Sequence, residues 1–362
     1  MQRTNMSREL LAVLAAVMVV GTGCDKEPVE PPVETPTEPP ISTPQHTWSW
    51  VDFSNSTCDE GTPTGLGANL GDSKNLLIFF NGGGACWDAV TCLQLNTSAH
   101  GPFTQTQFDA LTSRLSTGSI FDRQLANNPF KDWNYFFIPY CTGDLHIGNA
   151  DAVYTAGSTT KTIHHKGRMN TEAFLARIAS TFPNPEQVVV TGSSAGGFGA
   201  ALNYDFVRST FPNAKVVLID DSGPLFKSSA MSASLRASWA KAWNYDAVMD
   251  ALDPAVKDDY AALYPALARK YPEDRMALLS SAQDQTIRTY LQLSATAFEA
   301  ALRDLDTTVL APLPHTRSFI TAGQAHTMLL NPGAQSSQGV VLLDWLNQMQ
   351  SASDADWRSV SP

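Results

Sequence analysis

Short apolar runs alternate with longer amphipathic segments over most of this chain. The runs are short enough for strands, and several consist almost entirely of valine, leucine, isoleucine or phenylalanine. We assign strands to residues 76–80, 135–138, 188–191, 216–219, 276–279 and 317–321. Strands that alternate with helical segments are typical of a mostly parallel sheet with helices on both faces, so the pattern predicts an α/β fold.

Two helical segments stand out by their apolar spacing. Residues 171–180 place Phe174 and Ile178 on one face, and residues 340–349 carry a second apolar stripe. Such stripes are buried against the rest of a fold. The buried face of the last helix is predicted to consist of Val341, Leu342, Trp345 and Leu346.

The first residues of the chain have the pattern of an export signal. Arginines precede an apolar run, Leu10–Val20, and small residues separate that run from Cys24. The run is too short to span a bilayer, so residues 1–23 are predicted to be a secretion signal. Cys24 directly follows small residues and looks like the lipid-modified cysteine of bacterial lipoproteins. Cleavage followed by simple secretion is the alternative.

A change of composition separates a linker from a globular domain. Residues 24–47 are rich in proline and glutamate, which predicts an extended tether that holds a domain off a membrane surface. Residues 48–362 have the length and apolar periodicity of one large α/β domain. The chain has a formal net charge of -11, which argues against nucleic acid as a partner. The charge does not identify a substrate.

Four cysteines remain if Cys24 carries lipid: Cys58, Cys86, Cys92 and Cys141. An even number in an exported chain indicates two disulfides, for which three pairings are possible. A bond between Cys86 and Cys92 would close a short loop and leave Cys58 for Cys141. The spacing is not that of paired C-x-x-C knuckles, so no metal site is predicted.

The segment Gly192–Gly196 is a G-x-S-x-G box that follows a predicted strand and precedes a small-residue helical stretch. This is the arrangement of a nucleophile elbow, in which small residues let the chain turn sharply and expose the serine hydroxyl. A glycine-rich turn is the structural alternative. The strand-to-helix setting favours Ser194 as a nucleophile.

A serine nucleophile needs a base, and the base needs an acid to orient it. His315 and His326 follow Ser194 in the chain, but His315 precedes its strand and therefore lies at the wrong end of the sheet. His326 follows that strand and is predicted to be the base. Asp284, after the preceding strand, is the preferred acid, while Asp220 and Asp221 remain alternatives.

A glycine run after the first predicted strand fits the remaining requirement of ester hydrolysis. The oxyanion formed on attack needs preorganised backbone donors. The amide of Ala195 and those of Gly83 and Gly84 are predicted to supply them, because glycine lets the backbone approach a substrate closely. A plain turn is the alternative for the glycine run.

Other candidate residues carry weaker signals. Asp144 and His146 form a D-x-H pair that we interpret as structural hydrogen bonding and not as a metal site. His164 and His165 are interpreted as a solvated or capping pair. Trp87, beside the glycine run, is equally compatible with lining a pocket and with packing. Candidate walls of an acyl pocket are Phe103, Phe108, Trp133 and Phe136.

Several segments together resemble the pectin acetylesterase family, which includes the animal Notum carboxylesterases. The matching stretches are CDEGTP (58–63), NGGGACW (81–87), YCTGD (140–144), GSSAGG (192–197), DDSG (220–223) and AH (325–326). They follow the family's order over most of the globular domain. Two departures are Asn81, where many members have glutamate, and the lack of aromatic residues beside Asp284.

The resemblance implies an α/β-hydrolase fold and hydrolysis of O-acyl esters without a metal or other cofactor. It assigns the nucleophile to Ser194, the acid to Asp284, the base to His326 and the oxyanion donors to Gly83, Gly84 and Ala195. The disulfides it implies are Cys58–Cys141 and Cys86–Cys92.

We therefore predict an exported, lipid-anchored serine carboxylesterase that removes acetyl groups from a polysaccharide. The alternatives are a lipase, polyester hydrolase or protein O-deacylase for longer acyl chains, and a non-catalytic surface lipoprotein that binds a ligand.

Overall fold

The computed structural model describes residues 39–351, 353 and 355–362. The predicted secretion signal, Cys24 and most of the predicted tether lie outside the described residues. Residues 39–47, which we assigned to the tether, instead lie against the domain. Ile41 is buried, its amide donates to Thr181 Oγ1 at 2.8 Å, and Gln45 forms a β-bridge with Leu70. The folded domain therefore begins before residue 48.

The strands in chain order are β1 (Ser49–Phe53), β2 (Thr64–Asn69), β3 (Leu76–Phe80), β4 (Asn134–Ile138), β5 (Ala150–Ala156), β6 (Thr159–His165), β7 (Gln187–Ser193), β8 (Lys215–Asp221), β9 (Arg275–Ser281), β10 (Thr316–Thr321), β11 (Ser336–Ser337) and β12 (Val340–Val341). The α-helices are α1 (Gln105–Leu115), α2 (Gly167–Thr181), α3 (Ala195–Thr210), α4 (Ala233–Trp243), α5 (Asp246–Leu252), α6 (Ala255–Asp258), α7 (Leu263–Lys270), α8 (Gln285–Tyr290), α9 (Ala295–Leu305) and α10 (Leu342–Gln350).

The central sheet of the described chain runs in the order β1-β2-β4-β3-β7-β8-β9-β10. β1 pairs antiparallel with β2, and β2 antiparallel with β4. The remaining pairs are parallel. Every strand predicted from the apolar runs is part of this parallel portion, so a mostly parallel sheet is confirmed.

The parallel strands are buried on both faces. In β3, Leu76, Ile78 and Phe80 belong to one hydrophobic core, whereas Leu77 and Phe79 belong to the core on the other face. The same alternation continues through β7, β8 and β9. Burial on both faces explains why these strands are continuous apolar runs without a polar alternation.

Some elements differ from the prediction. The pattern missed β1 and β2, and β2 contains Gly65 and Gly67 and therefore resembles a loop in sequence. Gly67 is required by packing, since a Cβ there would lie 2.3 Å from the Phe108 ring. The last helix begins at Leu342, because Val340–Val341 pairs with Ser336–Ser337. Its predicted buried face is otherwise found, with Leu342, Trp345 and Leu346 fully buried and Val341 only half-buried.

Both disulfides implied by the resemblance are present. Cys58–Cys141 joins residues 83 positions apart, and Cys86–Cys92 joins residues 6 apart. Such bonds persist outside the reducing cytosol, so they indicate a chain that folds in an oxidising compartment. None of the helices in the described part of the chain has the length and apolar composition needed to cross a bilayer.

The two disulfides are expected to contribute unequally to stability, because a longer closed loop removes more entropy from the unfolded chain. Replacing Cys58 and Cys141 together by alanine should lower the free energy of unfolding by about 4.5 kcal/mol, and replacing Cys86 and Cys92 by about 2 kcal/mol. Urea unfolding of both double variants without reductant measures the difference. Equal losses would contradict the loop-entropy explanation.

Candidate active site

Ser194 lies at the turn between β7 and α3. Its backbone has φ 63° and ψ -125°, a region that non-glycine residues rarely adopt and that functional sites often stabilise. The Ser194 amide donates to the Asp221 carbonyl at 2.8 Å. Gly196 is required here, because a Cβ would lie 1.9 Å from the Phe80 carbonyl oxygen. The predicted elbow geometry is therefore present, at the positive end of the α3 dipole.

His326 and Asp284 are joined directly. His326 Nδ1 lies 2.8 Å from Asp284 Oδ2, and the Asp284 side chain is fully buried. The other oxygen of Asp284 accepts from the amides of Thr286 and Ile287 and so caps α8. The carboxylate is therefore fixed by the helix that follows it, and it fixes the imidazole ring in turn.

The side chains of Asp220 and Asp221 form their hydrogen bonds with groups other than His326. Asp220 accepts from the Gly223 amide at 2.8 Å and from the Tyr264 hydroxyl at 3.2 Å. Both aspartates are fully buried. Burial raises the pKa of Asp220 to about 7, and neighbouring Asp221 adds to the increase. Of the three acids considered from the sequence, Asp284 is the one that the fold brings to the imidazole.

Asp221 connects the serine turn with the histidine loop. Its carboxylate accepts from the Ser193 hydroxyl at 2.6 Å, from the Met328 amide at 2.9 Å and from the Leu329 amide at 3.0 Å. The Ser222 hydroxyl also donates to it. Burial raises the pKa of Asp221, whereas these donors lower it. One buried side chain thus holds the residue before Ser194 and the residues just after His326.

Ser194 Oγ itself makes no hydrogen bond within the described residues, to His326 or to any other group. Asp221 connects them, because its carbonyl accepts from the Ser194 amide and its carboxylate accepts from the amides of Met328 and Leu329 after His326. Catalytic contacts are commonly long in the absence of substrate and tighten in the complex.

The glycine loop after β3 packs directly on the serine turn. A Cβ at Gly82 would lie 2.5 Å from the Ser193 carbonyl oxygen and 2.9 Å from Ser194 Cβ. Gly84 has φ 76° and pairs in a β-bridge with Ser98. Within the described chain, no acceptor pairs with the amides of Gly83, Gly84 or Ala195. These donors are therefore available to an anionic oxygen beside Ser194.

A pair of residues with positive φ supports this loop. Leu145 and His146 have φ values of 57° and 62°, and His146 Nε2 donates to the Asn81 carbonyl at 2.8 Å. The Asn203 amide from α3 donates to the His146 carbonyl. Burial lowers the pKa of His146 to about 4, so its imidazole is neutral near pH 7. His146 therefore links the glycine loop to the helix that follows Ser194.

A small apolar cavity lies against Ser194. It leaves about 20 Å³ for the centre of a water molecule, which is room for about one or two waters. Three of its wall residues lie on or next to α8, within two turns of the Asp284 cap. Its lining consists of Gly84, Ala85, Leu145, Ser194, Ala195, Phe198, Trp239, Ile287, Tyr290 and Leu291.

The sequence identified the wrong walls for this cavity. Phe103, Phe108, Trp133 and Phe136 are all buried in the two hydrophobic cores and do not line it. The pattern gives no signal for Trp239, which comes from α4. The spacing of Ile287, Tyr290 and Leu291 after Asp284 is the signal that could have revealed the others.

The weaker candidates have structural roles. Asp144 accepts from the Thr142 hydroxyl and from the Gly167 amide, which confirms the structural interpretation of the D-x-H pair. Trp87 packs on Trp239 with ring centroids 5.8 Å apart and lies outside the cavity lining. His164 pairs with Asp151 at the surface.

The interpretation of His165 as solvated is wrong. It is fully buried and lies 2.8 Å from the Thr142 carbonyl. Among the described residues, a cluster with metal-ligand geometry consists of His165 with Cys86 and Cys92. Both cysteines are held in a disulfide, so the cluster offers no thiolate.

Known proteins resemble this chain in sequence. A profile of the family described as pectinacetylesterase matches residues 49–360. Pectin acetylesterase 11 of Arabidopsis thaliana is 28% identical over 166 residues, which are 46% of this chain and 39% of the plant protein. The palmitoleoyl-protein carboxylesterase notum2 of Xenopus laevis is 28% identical over 181 residues, 46% of this chain and 34% of the frog protein. The matches span less than half of either relative.

The fold also matches a solved structure. The Wnt deacylase Notum from Drosophila aligns with a TM-score of 0.60 at 18% identity, over 84% of this chain and 93% of the fly chain. This likeness, together with the strand order described above, confirms the predicted α/β-hydrolase fold.

Replacing Asp221 by asparagine should destabilise the protein. The side-chain amide of asparagine would place an N–H donor against backbone amides or hydroxyls that are themselves donors and would lose their acceptor. We therefore expect a loss of about 3 kcal/mol in the free energy of unfolding. Asp284→Asn is the matched control, because asparagine keeps one oxygen for the cap of α8. Urea unfolding compares the two variants, and equal stability would contradict the role given to Asp221.

Asp220 should make stability depend on pH. Its folded-state pKa of about 7 lies above the unfolded value of about 4. The folded protein therefore binds the proton more tightly, and the stability contributed by protonated Asp220 is full below pH 4 and is lost as the pH rises to 7. Asp220→Asn mimics the protonated form, so its advantage over the wild type should grow between pH 5 and pH 8.

Thermal unfolding at each pH measures that difference. Asp109→Asn is the matched control, because Asp109 is exposed. An Asp220→Asn profile parallel to the wild-type profile would show that this aspartate is ionised throughout.

Proposed function

Because the chain belongs to the pectinacetylesterase family, we propose that it is a serine esterase that removes acetyl groups from the hydroxyls of a polysaccharide. One observation carries the proposal. The strained Ser194 turn, the glycine loop, whose Gly83 and Gly84 amides have no acceptor among the described residues, and the Asp284–His326 pair all follow the carboxyl ends of parallel strands and so lie at one edge of the sheet. Asp221 fixes the serine turn to the histidine loop. A binding protein has no need of all these groups together.

In the proposed mechanism, His326 takes the proton of Ser194 Oγ while that oxygen attacks the ester carbonyl. The amides of Gly83, Gly84 and Ala195 donate to the developing oxyanion. His326 then delivers the proton to the leaving alcohol, and an acyl-enzyme remains on Ser194. Water attacks this ester in the same way and releases the acid. Asp284 keeps the imidazole in the required tautomer throughout.

The size of the cavity supports a short acyl group. An acetyl methyl group is close to the size of a water molecule, and the cavity beside Ser194 has room for about one or two waters. A long acyl chain does not fit this space. The polysaccharide is proposed by analogy with the plant relative, whose name gives pectin as its substrate. The name of the frog relative gives a palmitoleoyl-protein, so deacylation of longer chains is the second candidate.

We also propose that the enzyme is exported and anchored by lipid on Cys24, with residues 1–23 as the signal and the proline-rich segment as tether. The two disulfides support export, because they need an oxidising compartment. Secretion after simple cleavage is the alternative. The expected result is that the protein takes up labelled fatty acid in a bacterial host and that a Cys24→Ala variant does not.

Activity is tested with p-nitrophenyl esters from acetate to palmitate. We expect turnover confined to the shortest chains. Ser194→Ala should abolish it, and Asp284→Asn should reduce it roughly 10³- to 10⁴-fold, because asparagine stabilises the wrong tautomer of His326. Ser209→Ala, an exposed serine on the same helix α3, is the matched control. Circular dichroism verifies that each variant is folded.

The other outcomes point to the alternatives. A folded Ser194→Ala variant with wild-type turnover would overturn the mechanism. A preference for long chains would favour the deacylase, and a folded wild type without turnover on any ester would favour a binding protein.

A further inference from the structure

The side chain of Trp239 forms the wall that α4 contributes to the acyl cavity. Its indole is 3% exposed and lies in the same lining as Ser194 and Phe198. Other aromatic rings pack behind it. Trp243 is stacked on it at a centroid distance of 4.9 Å, Tyr260 at 6.4 Å, and Trp87 is tilted against it at 5.8 Å. Beyond this wall the protein is therefore apolar and aromatic.

The indole N–H of Trp239 has no acceptor in the described part of the chain, although it is buried. An unpaired buried donor lowers stability. Trp243, one turn later, donates its Nε1 to the Cys86 carbonyl at 2.8 Å. Among the described residues, the Trp239 side chain is therefore held by ring packing without a hydrogen bond. Phenylalanine or leucine at this position would remove the unpaired N–H. The size of the indole, which forms one wall of the cavity, is the property that tryptophan contributes at this position.

The remaining walls are tied to the proposed catalytic groups. Ile287 donates its amide to Asp284, and the Tyr290 hydroxyl donates to the Thr97 carbonyl beside the glycine loop. Replacing Tyr290 would remove this contact beside the glycine loop, and both residues belong to the helix whose first turn holds the Asp284 carboxylate. Trp239 lies on a helix that carries none of the groups proposed for catalysis, and its side chain makes no hydrogen bond to them among the described residues.

We propose that Trp239 sets the acyl-chain limit of this enzyme by filling the space that a chain longer than acetyl would occupy. This inference rests on the proposed esterase function. If it holds, a smaller residue at this position opens the cavity toward Trp243 and Tyr260, whose rings would line the added space. The chemistry at Ser194 stays the same, and the accepted acyl group becomes longer.

The experiment compares kcat/KM for p-nitrophenyl acetate, butyrate, hexanoate and octanoate in the wild type, Trp239→Ala and Trp239→Leu. A methylene that a pocket excludes costs about 10-fold or more in kcat/KM, so the octanoate-to-acetate ratio should rise at least about 10-fold in both variants. Trp50→Ala is the matched control. It removes a half-buried ring that packs on Phe103 and Phe108 in the other hydrophobic core, and it should leave the ratio within about 2-fold.

A second measurement does not depend on turnover. Octanoate should raise the midpoint of thermal unfolding of Trp239→Ala and Trp239→Leu but not that of the wild type, because ligand binding stabilises the folded state. Leucine supplies a milder variant if alanine impairs folding. An unchanged ratio in a folded Trp239 variant, or no stabilisation of either variant by octanoate, would overturn the inference. Absence of serine-dependent turnover in the wild type would instead overturn the proposed function.

Discussion

The carboxylate of Asp221 is the point on which the geometry of the site depends. It accepts hydrogen bonds from Ser193 at the end of β7 and from Met328 and Leu329 in the histidine loop, two segments far apart in the chain. Its own carbonyl accepts from the Ser194 amide. A strained turn such as that of Ser194 persists only when its surroundings over-determine it, and the Asp221 contacts do so. Within the part of the chain that the structure describes, the same contacts bring the histidine loop to the serine turn without a direct hydrogen bond between the Ser194 and His326 side chains.

Two adjacent buried aspartates would repel each other if both were charged, and the fold separates their roles. Asp221 has four donors around its carboxylate, which offset part of the increase in its pKa that burial causes. Asp220 has a backbone amide and the Tyr264 hydroxyl, and burial raises its pKa to about 7. A protonated Asp220 can donate to Tyr264, so it need not carry charge beside Asp221. The burial cost of a second carboxylate is thereby avoided.

The sequence predicted the part of the structure that short-range patterns encode. The apolar runs located the parallel strands, because burial on both faces leaves them without polar residues. Ser194 was identifiable because its turn needs small neighbours. The acid was ambiguous, since Asp220, Asp221 and Asp284 all lie at or after the ends of strands, and only the long-range contacts of each carboxylate distinguish them.

The walls of the cavity could not be predicted from the sequence, because they too depend on long-range packing. Trp239 belongs to an ordinary amphipathic helix, and its position against Ser194 depends on how α4 packs. Residues 39–47 were assigned to the tether and β2 was missed, because segments rich in proline or glycine resemble linkers and loops in sequence even where they pack against the domain.

If the proposed roles hold, catalysis and substrate selection fall to different helices of the described domain. Asp284 caps α8, α8 supplies Ile287 and Tyr290 to the cavity, and Tyr290 reaches Thr97 beside the glycine loop. The Asp284 carboxylate and this wall therefore share one helix, and Tyr290 joins that helix to the segment beside the glycine loop. Helix α4 makes no such connection through Trp239, whose indole N–H has no acceptor among the described residues. In a family whose relatives are named for acetyl and for palmitoleoyl substrates, a wall of this kind allows the accepted acyl group to change while the groups that act on the ester remain fixed.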